Sequence, residues 1–187
     1  MPATKNSVYQ LKIALKGSKP PIWRRLLVKN SISLSKLHVI IQISMGWYDC
    51  HLHMFNIYGE NYGRPDPDWD FEETLDESKF KLNRFNFKEK DTFTYEYDFG
   101  DSWEHVITVE KILPSDSKIS YPVCVKGKNA CPPEDCGGLW GYYNMLEAVQ
   151  NKKHPEHKSF LEWIGEEFNP EAFDIDSVNE GLGNLTA

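Results

Sequence analysis

Between Phe93 and Glu110 the chain reads FTYEYDFGDSWEHVITVE, with apolar and polar positions alternating on both sides of a single turn. Phe93, Tyr95 and Tyr97 alternate with Thr94, Glu96 and Asp98. Beyond the turn, Trp103, His105, Ile107 and Val109 alternate with Glu104, Val106, Thr108 and Glu110. A period of two places one apolar face on each strand. The pattern predicts a hairpin whose loop is Phe99, Gly100 and Asp101, closed by Asp98 opposite Ser102. A loop one residue shorter would set polar faces against apolar ones. In this register Tyr97 faces Trp103, Tyr95 faces His105 and Phe93 faces Ile107. His105 then points inward among rings, while Asp98 and Asp101 stand at the mouth of the turn.

The same alternation predicts strands over Val8–Lys16, over Ile22–Val28 after the Gly17–Pro21 break, and over His51–Tyr58. In that last strand His51, His53, Phe55 and Ile57 share one face. Helical spacing takes over between Ser33 and Met45, where Leu34, Leu37, Ile41 and Met45 form one stripe. Ser33 is the expected N-cap and Gly46 the stop. His38 lies at the stripe's edge and reads as a packed or solvent-facing side chain. Lys79–Phe87 reads as an irregular bridge or short strand, and Tyr121–Val125 as a short edge strand. A helix over about Trp140–Gln150 is expected to bury Tyr143, Leu146 and Val149. A second, opened by His154 and Pro155, is expected to bury Phe160, Leu161 and Ile164. Asn169 and Pro170 give another start signal near Ala172, and Asp176 is the expected cap of a last turn through Val178 and Leu182. The fold class is therefore α+β: a mixed or antiparallel sheet around the central hairpin, packed by one helix from the N-terminal half and a C-terminal group of short helices. The expectation is one domain over 1–187, with an acidic loop at 59–78 and a tail at 168–187 packing on it.

Composition changes this picture little. At 187 residues, with 40% hydrophobic, 13% aromatic and 26% charged positions, the chain can bury a core without disulfide staples. A net charge of -7, with no basic stripe among aromatics, argues against nucleic acid as a partner. No apolar stretch reaches signal-peptide or membrane-span length, so the expected location is the cytoplasm, with no membrane association. The four cysteines then read as thiols or metal ligands.

Two segments carry candidate chemistry. The hairpin tip offers Asp98, Asp101, Trp103 and His105. The stretch CVKGKNACPPEDCGGLWGY offers Glu134 and Asp135 in a loop fixed by adjacent prolines and adjacent glycines. Candidate metal donors are His51 and His53, which are neighbours on a pleated face, together with His105 and the trio Cys124, Cys131 and Cys136. The trio is spaced C-x6-C-x4-C, without paired knuckles. Asp66, Asp68 and Asp70 resemble a calcium loop but lack its glycine and closing glutamate. Two functions from different classes follow. One is a binding module, in which an aromatic and acidic pocket between residues 98–105 and 131–138 takes a protein, peptide or small molecule. The other is a divalent-metal-dependent enzyme, a hydrolase, with Glu134 or Asp135 as general base. Each carboxylate also has a structural use, in turn amides, helix caps or pairing with Arg24 or Arg25.

YQLKIALKGSKPPIWRRLLV, LHVIIQISMGW, HLHMFNIYG, YEYDFGDSWEHVITVE, CPPEDCGGLWGY and FNPEAFDIDSVNEGL, in that order over nearly the whole chain, resemble the plasmid pRiA4b ORF-3-like family. The resemblance implies a single α+β domain of bacterial and archaeal cytoplasm, sometimes a passenger of mobile insertion elements, without an established activity. It centres on Asp98, Gly100, Asp101 and His105, and on Pro133, Glu134, Asp135, Gly137 and Gly138.

Overall fold

A computed structural model of the protein describes residues 7–65, 74–165 and 168–185. The acidic positions Asp66, Asp68, Asp70, Glu72 and Glu73 lie outside that range. In chain order the elements are β1 (Ser7–Leu15), β2 (Trp23–Lys29), α1 (Leu34–Met45), β3 (His53–Ile57), β4 (Glu60–Gly63), β5 (Thr74–Asp76), β6 (Thr92–Tyr97), β7 (Trp103–Pro114), β8 (Val123–Lys128), α2 (Gly138–Gln150), α3 (His157–Ile164) and α4 (Ile175–Gly183). The strands form one sheet in the order β5-β4-β3-β6-β7-β1-β2-β8. Every pairing is antiparallel except β4 with β5.

The β6–β7 hairpin occupies the middle of this sheet, with Tyr97 opposite Trp103, Tyr95 opposite His105 and Phe93 opposite Ile107. The alternation that predicts it has a direct physical result. Phe93, Tyr95, Tyr97, Trp103, His105, Ile107 and Val109 are all buried on one face. Tyr9, Leu11 and Ile13 of β1 and Phe55 and Ile57 of β3 join the same core. The intervening positions form a polar outer face, where Arg25 makes a two-pronged contact with Glu110 at 2.5 and 2.7 Å and Gln10 reaches the same carboxylate at 2.8 Å.

Helix α1 covers the apolar face with Leu34, Leu37, Ile40, Ile41 and Met45. Ser33 caps it, its side chain accepting from the Lys36 amide, and Gly46 ends it in the left-handed region at φ 92. A side-chain cap contributes about 1 kcal/mol and the glycine avoids a Cβ penalty. Arg24 is buried beside the helix's last turn, where Nε donates to the Ser44 carbonyl at 2.7 Å. Its Nη1 donates to the carbonyls of Trp23, Lys128 and Asn129, at 3.0, 3.2 and 3.0 Å, and the guanidinium lies 4.3 Å over the Phe173 ring. Neither Arg24 nor Arg25 therefore pairs with Glu134 or Asp135.

The C-terminal helices depart from the periodicity in three ways. Helix α2 starts at Gly138 rather than Trp140, and it buries Tyr142, Met145 and Ala148; Tyr143, Leu146 and Val149 are half-buried flanks. Helix α3 has no fully buried residue, and Leu161 is 39% exposed. Asn169 and Pro170 form a turn without a helix, and α4 is capped by Asp174, which accepts from the Asp176 and Ser177 amides, rather than by Asp176. Lys79–Phe87 is the irregular bridge of the two expected alternatives: it follows a 3-10 turn over Glu77–Lys79, holds a second over Leu82–Phe85 and forms no strand. Strand β8 lies at the sheet edge, where the Asn179 side chain of α4 accepts from the Cys124 amide at 2.7 Å and donates to the Cys124 carbonyl at 2.9 Å.

Candidate functional site

The hairpin tip and the proline-glycine segment meet. Asp98, at φ 56, uses Oδ1 to accept from the amides of Gly100 at 2.9 Å and Asp101 at 3.4 Å, an Asx-type turn that leaves Oδ2 free. Asp101 Oδ2 in turn accepts from the Gly137 amide at 3.1 Å. Gly138 follows at φ 66, and a Cβ there would lie 2.5 Å from the Asp101 carbonyl oxygen. Only glycine lets the two backbones come this close.

A second set of contacts fixes the segment between α1 and β3 to the same loop. The Trp47 indole donates to the Pro132 carbonyl at 3.0 Å, and the Tyr48 amide donates to Glu134 Oε2 at 3.3 Å. Tyr97 accepts from the Cys50 amide at 2.9 Å and donates its hydroxyl proton to Glu134 Oε1. Burial, then the neighbouring Glu134 carboxylate, raises the Tyr97 hydroxyl well above its ordinary range. Tyr97 therefore stays a donor, and a hydroxyl given to a carboxylate is a stronger pairing than one between neutral groups.

These contacts bring three donors together. His51 Nε2 lies 3.1 Å from Asp135 Oδ1 and 3.7 Å from Asp98 Oδ2, and the three ligand atoms all fall within 4.8 Å of one another. The nitrogen is closed off from solvent, yet neither carboxylate meets it at hydrogen-bonding geometry. Donors bound at 2.0–2.2 Å to one ion stand about 3 to 3.5 Å apart, so this triangle needs only a small contraction to close on a divalent cation. One imidazole and two carboxylates suit zinc, manganese or iron, and three protein donors leave coordination positions open. Two large rings of the adjoining segments are open to solvent: Tyr48, whose amide holds Glu134, is 84% exposed, and Trp140, in the first turn of α2, is 81% exposed.

The other expected donors are placed elsewhere. Strand β3 begins at His53, so His51 lies before it and the two imidazoles part company; His53 Nε2 contacts Glu77 Oε2 at 2.8 Å. Trp103 and His105 have no exposure and cannot touch a ligand. His105 packs edge-on to Trp47 at 5.3 Å, and neither of its ring nitrogens meets a partner at hydrogen-bonding geometry. Among the described residues no cysteine belongs to a group of three donors within 4.8 Å of one another. Burial, then Asp101, pushes the Cys136 thiol up to about 12, and burial raises Cys131 further still and lifts Cys124. These are protonated, packed thiols rather than ready ligands. Sequence patterning does not find Tyr97, whose position reads as ordinary core, nor Tyr48, whose exposure leaves no periodic trace.

The family model for the plasmid pRiA4b ORF-3-like protein matches residues 7–177. An uncharacterised protein, y4hQ, of Sinorhizobium fredii is 34% identical over 183 residues, spanning 97% of this chain and 93% of that protein. A crystal structure of a protein of unknown function, MM3350 of Methanosarcina mazei, superposes with a TM-score of 0.83 at 38% identity, covering 92% of this chain and 98% of that one. Among the described residues no helix is long and apolar enough to cross a membrane.

Proposed function

The chain belongs to the plasmid pRiA4b ORF-3-like family, and on that premise we propose that it is a binding module that takes a divalent cation at the hairpin tip. His51, Asp98 and Asp135 are the ion's ligands. The open coordination positions accept an oxygen donor from a peptide, protein or small-molecule ligand, and Tyr48 and Trp140 supply apolar contact to its body. The observation that carries this reading is the buried His51 Nε2, set among two carboxylate oxygens without a hydrogen bond to either. A buried polar atom without a partner is costly, and an ion at the centre of the triangle would satisfy all three groups at once.

The open positions also favour a second reading, a metal-dependent hydrolase, because three protein ligands plus water is the usual arrangement of a catalytic zinc site. Glu134 is a poor general base as it stands, since Tyr97 and Tyr48 hold both of its oxygens. Titration calorimetry and thermal melts with manganese and zinc test the shared premise. The purified protein should bind the ion and melt higher in its presence, and H51A or D98N should weaken this binding at least about tenfold. Unchanged affinity in both variants sinks the proposal. Turnover of a p-nitrophenyl ester by metal-loaded protein, absent in D98N, would select the hydrolase.

A further inference from the structure

A second set of donors gathers between α1 and the start of β3. His38 faces the sheet from the helix, and His53 opens β3 with its side chain in the same layer; they are 4% and 7% exposed. Their rings stack with centroids 3.4 Å apart and planes 6° from parallel. His38 Nε2 lies 2.8 Å from Asp49 Oδ1, and His53 Nε2 lies 2.8 Å from Glu77 Oε2. The ligand atoms of His38, Asp49 and His53 fall within 4.8 Å of one another. All four side chains line a cavity of about 550 Å3.

Core packing alone does not explain this arrangement. Rings prefer offset or edge-on contacts to a close parallel sandwich, and two imidazoles so placed cannot both carry charge without repulsion. What the stack achieves is to bring two Nε2 atoms and two carboxylates to one wall of a cavity. The support behind the wall also suits metal ligation, in which the histidine's second nitrogen needs a fixed partner. His38 Nδ1 has one in the Tyr95 hydroxyl at 2.8 Å. That hydroxyl also accepts from Gln42 Nε2 at 2.9 Å, and Gln42 Oε1 accepts from the Asp49 amide at 3.0 Å, which closes a ring of contacts around the site.

We propose that His38, His53, Asp49 and Glu77 form a second divalent transition-metal site, separate from the hairpin tip, with its remaining coordination position facing the cavity. Two imidazoles and two carboxylates select zinc, cobalt, manganese or iron over calcium and magnesium, which prefer oxygen alone.

Cobalt(II) titration of the full chain, followed by visible d–d absorption, tests this. D98N disables the hairpin tip and should leave one equivalent of cobalt bound with d–d bands. Adding D49N or E77Q to D98N should weaken that equivalent at least about tenfold, the lower bound set by loss of even a supporting partner. Asp49 sits at φ 57 with its side chain 44% exposed, so asparagine fits its backbone without disturbing the core. The proposal is overturned if D98N protein binds no cobalt, or if D49N and E77Q both leave its affinity unchanged. Unchanged cobalt affinity as well as stoichiometry in both D98N and H51A would instead sink the hairpin-tip reading and leave this one standing. Zinc titration of the unmutated protein, watched through imidazole nitrogen resonances, needs no variant: His38 and His53 should both shift, and stationary resonances refute the site.

Discussion

His105 should make this protein acid-sensitive in a way that a single substitution removes. The ring is fully buried beneath Trp47 and Tyr95, and burial lowers its pKa from 6.5 to about 4. The native state therefore holds a neutral imidazole, while the unfolded chain takes up a proton near 6.5. Stability from this group is complete above the unfolded value and drains away as the pH falls toward the folded one. At about 1.4 kcal/mol per pH unit of separation, the loss reaches about 3 kcal/mol. That is a large share of a stability of roughly 5–15 kcal/mol. Urea unfolding followed by tryptophan fluorescence, at neutral pH and at about pH 4.5, measures it in the wild type and in His105→Leu. Leucine removes the titrating group and keeps an apolar side chain of similar bulk in the core, so near neutrality the variant should lie within about 1.5 kcal/mol of wild type. Carboxylates titrate in both proteins and cancel in the comparison. The difference in unfolding free energy should move in the variant's favour by about 3 kcal/mol on acidification. If the two proteins lose stability in parallel, the assignment to His105 is refuted.

Three further outcomes follow from the site's supports. Gly138→Ala should cost well over 1 kcal/mol, because a Cβ would meet the Asp101 carbonyl oxygen at 2.5 Å, whereas Gly165→Ala, at a similar φ with nothing within 4 Å, should carry the backbone strain alone. Denaturant midpoints of the pair isolate the clash. Tyr97→Phe removes the donor to Glu134 and the acceptor for the Cys50 amide, and should cost about 1.5–3 kcal/mol, the range for hydrogen bonds to charged groups. Chemical denaturation gives the size and limited proteolysis within 131–138 the location. Of the four thiols, only the exposed Cys50 should react quickly with Ellman's reagent in native protein, the other three waiting for denaturant and ignoring chelator.

The hairpin is legible because burial on one face of a sheet writes a period of two into the chain, and a slip by one residue would invert all of it. Helix α1 is legible for the same reason at its own period, with Ser33 and Gly46 marking its ends. The acidic tip and the loop around Glu134 stand out as turn chemistry. Their meeting through Gly137, Gly138 and Asp101 does not, because approach between distant segments leaves no periodic signal. The separation of His51 from His53 is hidden because strand β3 starts only at His53, leaving His51 outside the pleated segment. Neighbours at i and i+2 share a face only inside a strand. Helix α2 buries Tyr142, Met145 and Ala148, one position before the expected stripe, because the small Ala148 can face the core while the larger Tyr143, Leu146 and Val149 pack at its flanks, a choice that tertiary packing makes and periodicity does not. Glu77 belongs to a stretch that reads as solvated loop, and only the fold carries it to His53.

The amide side chain of Asn179 holds both main-chain groups of Cys124 on the outermost strand, so that one residue of a helix does the work of a ninth strand. Unsatisfied strand edges invite pairing with a neighbouring molecule. The C-terminal helix therefore guards solubility as well as covering the interior: a chain trimmed before it would expose a ready template, and its failure would be seen first as fibrous or amorphous association rather than as lost ion binding.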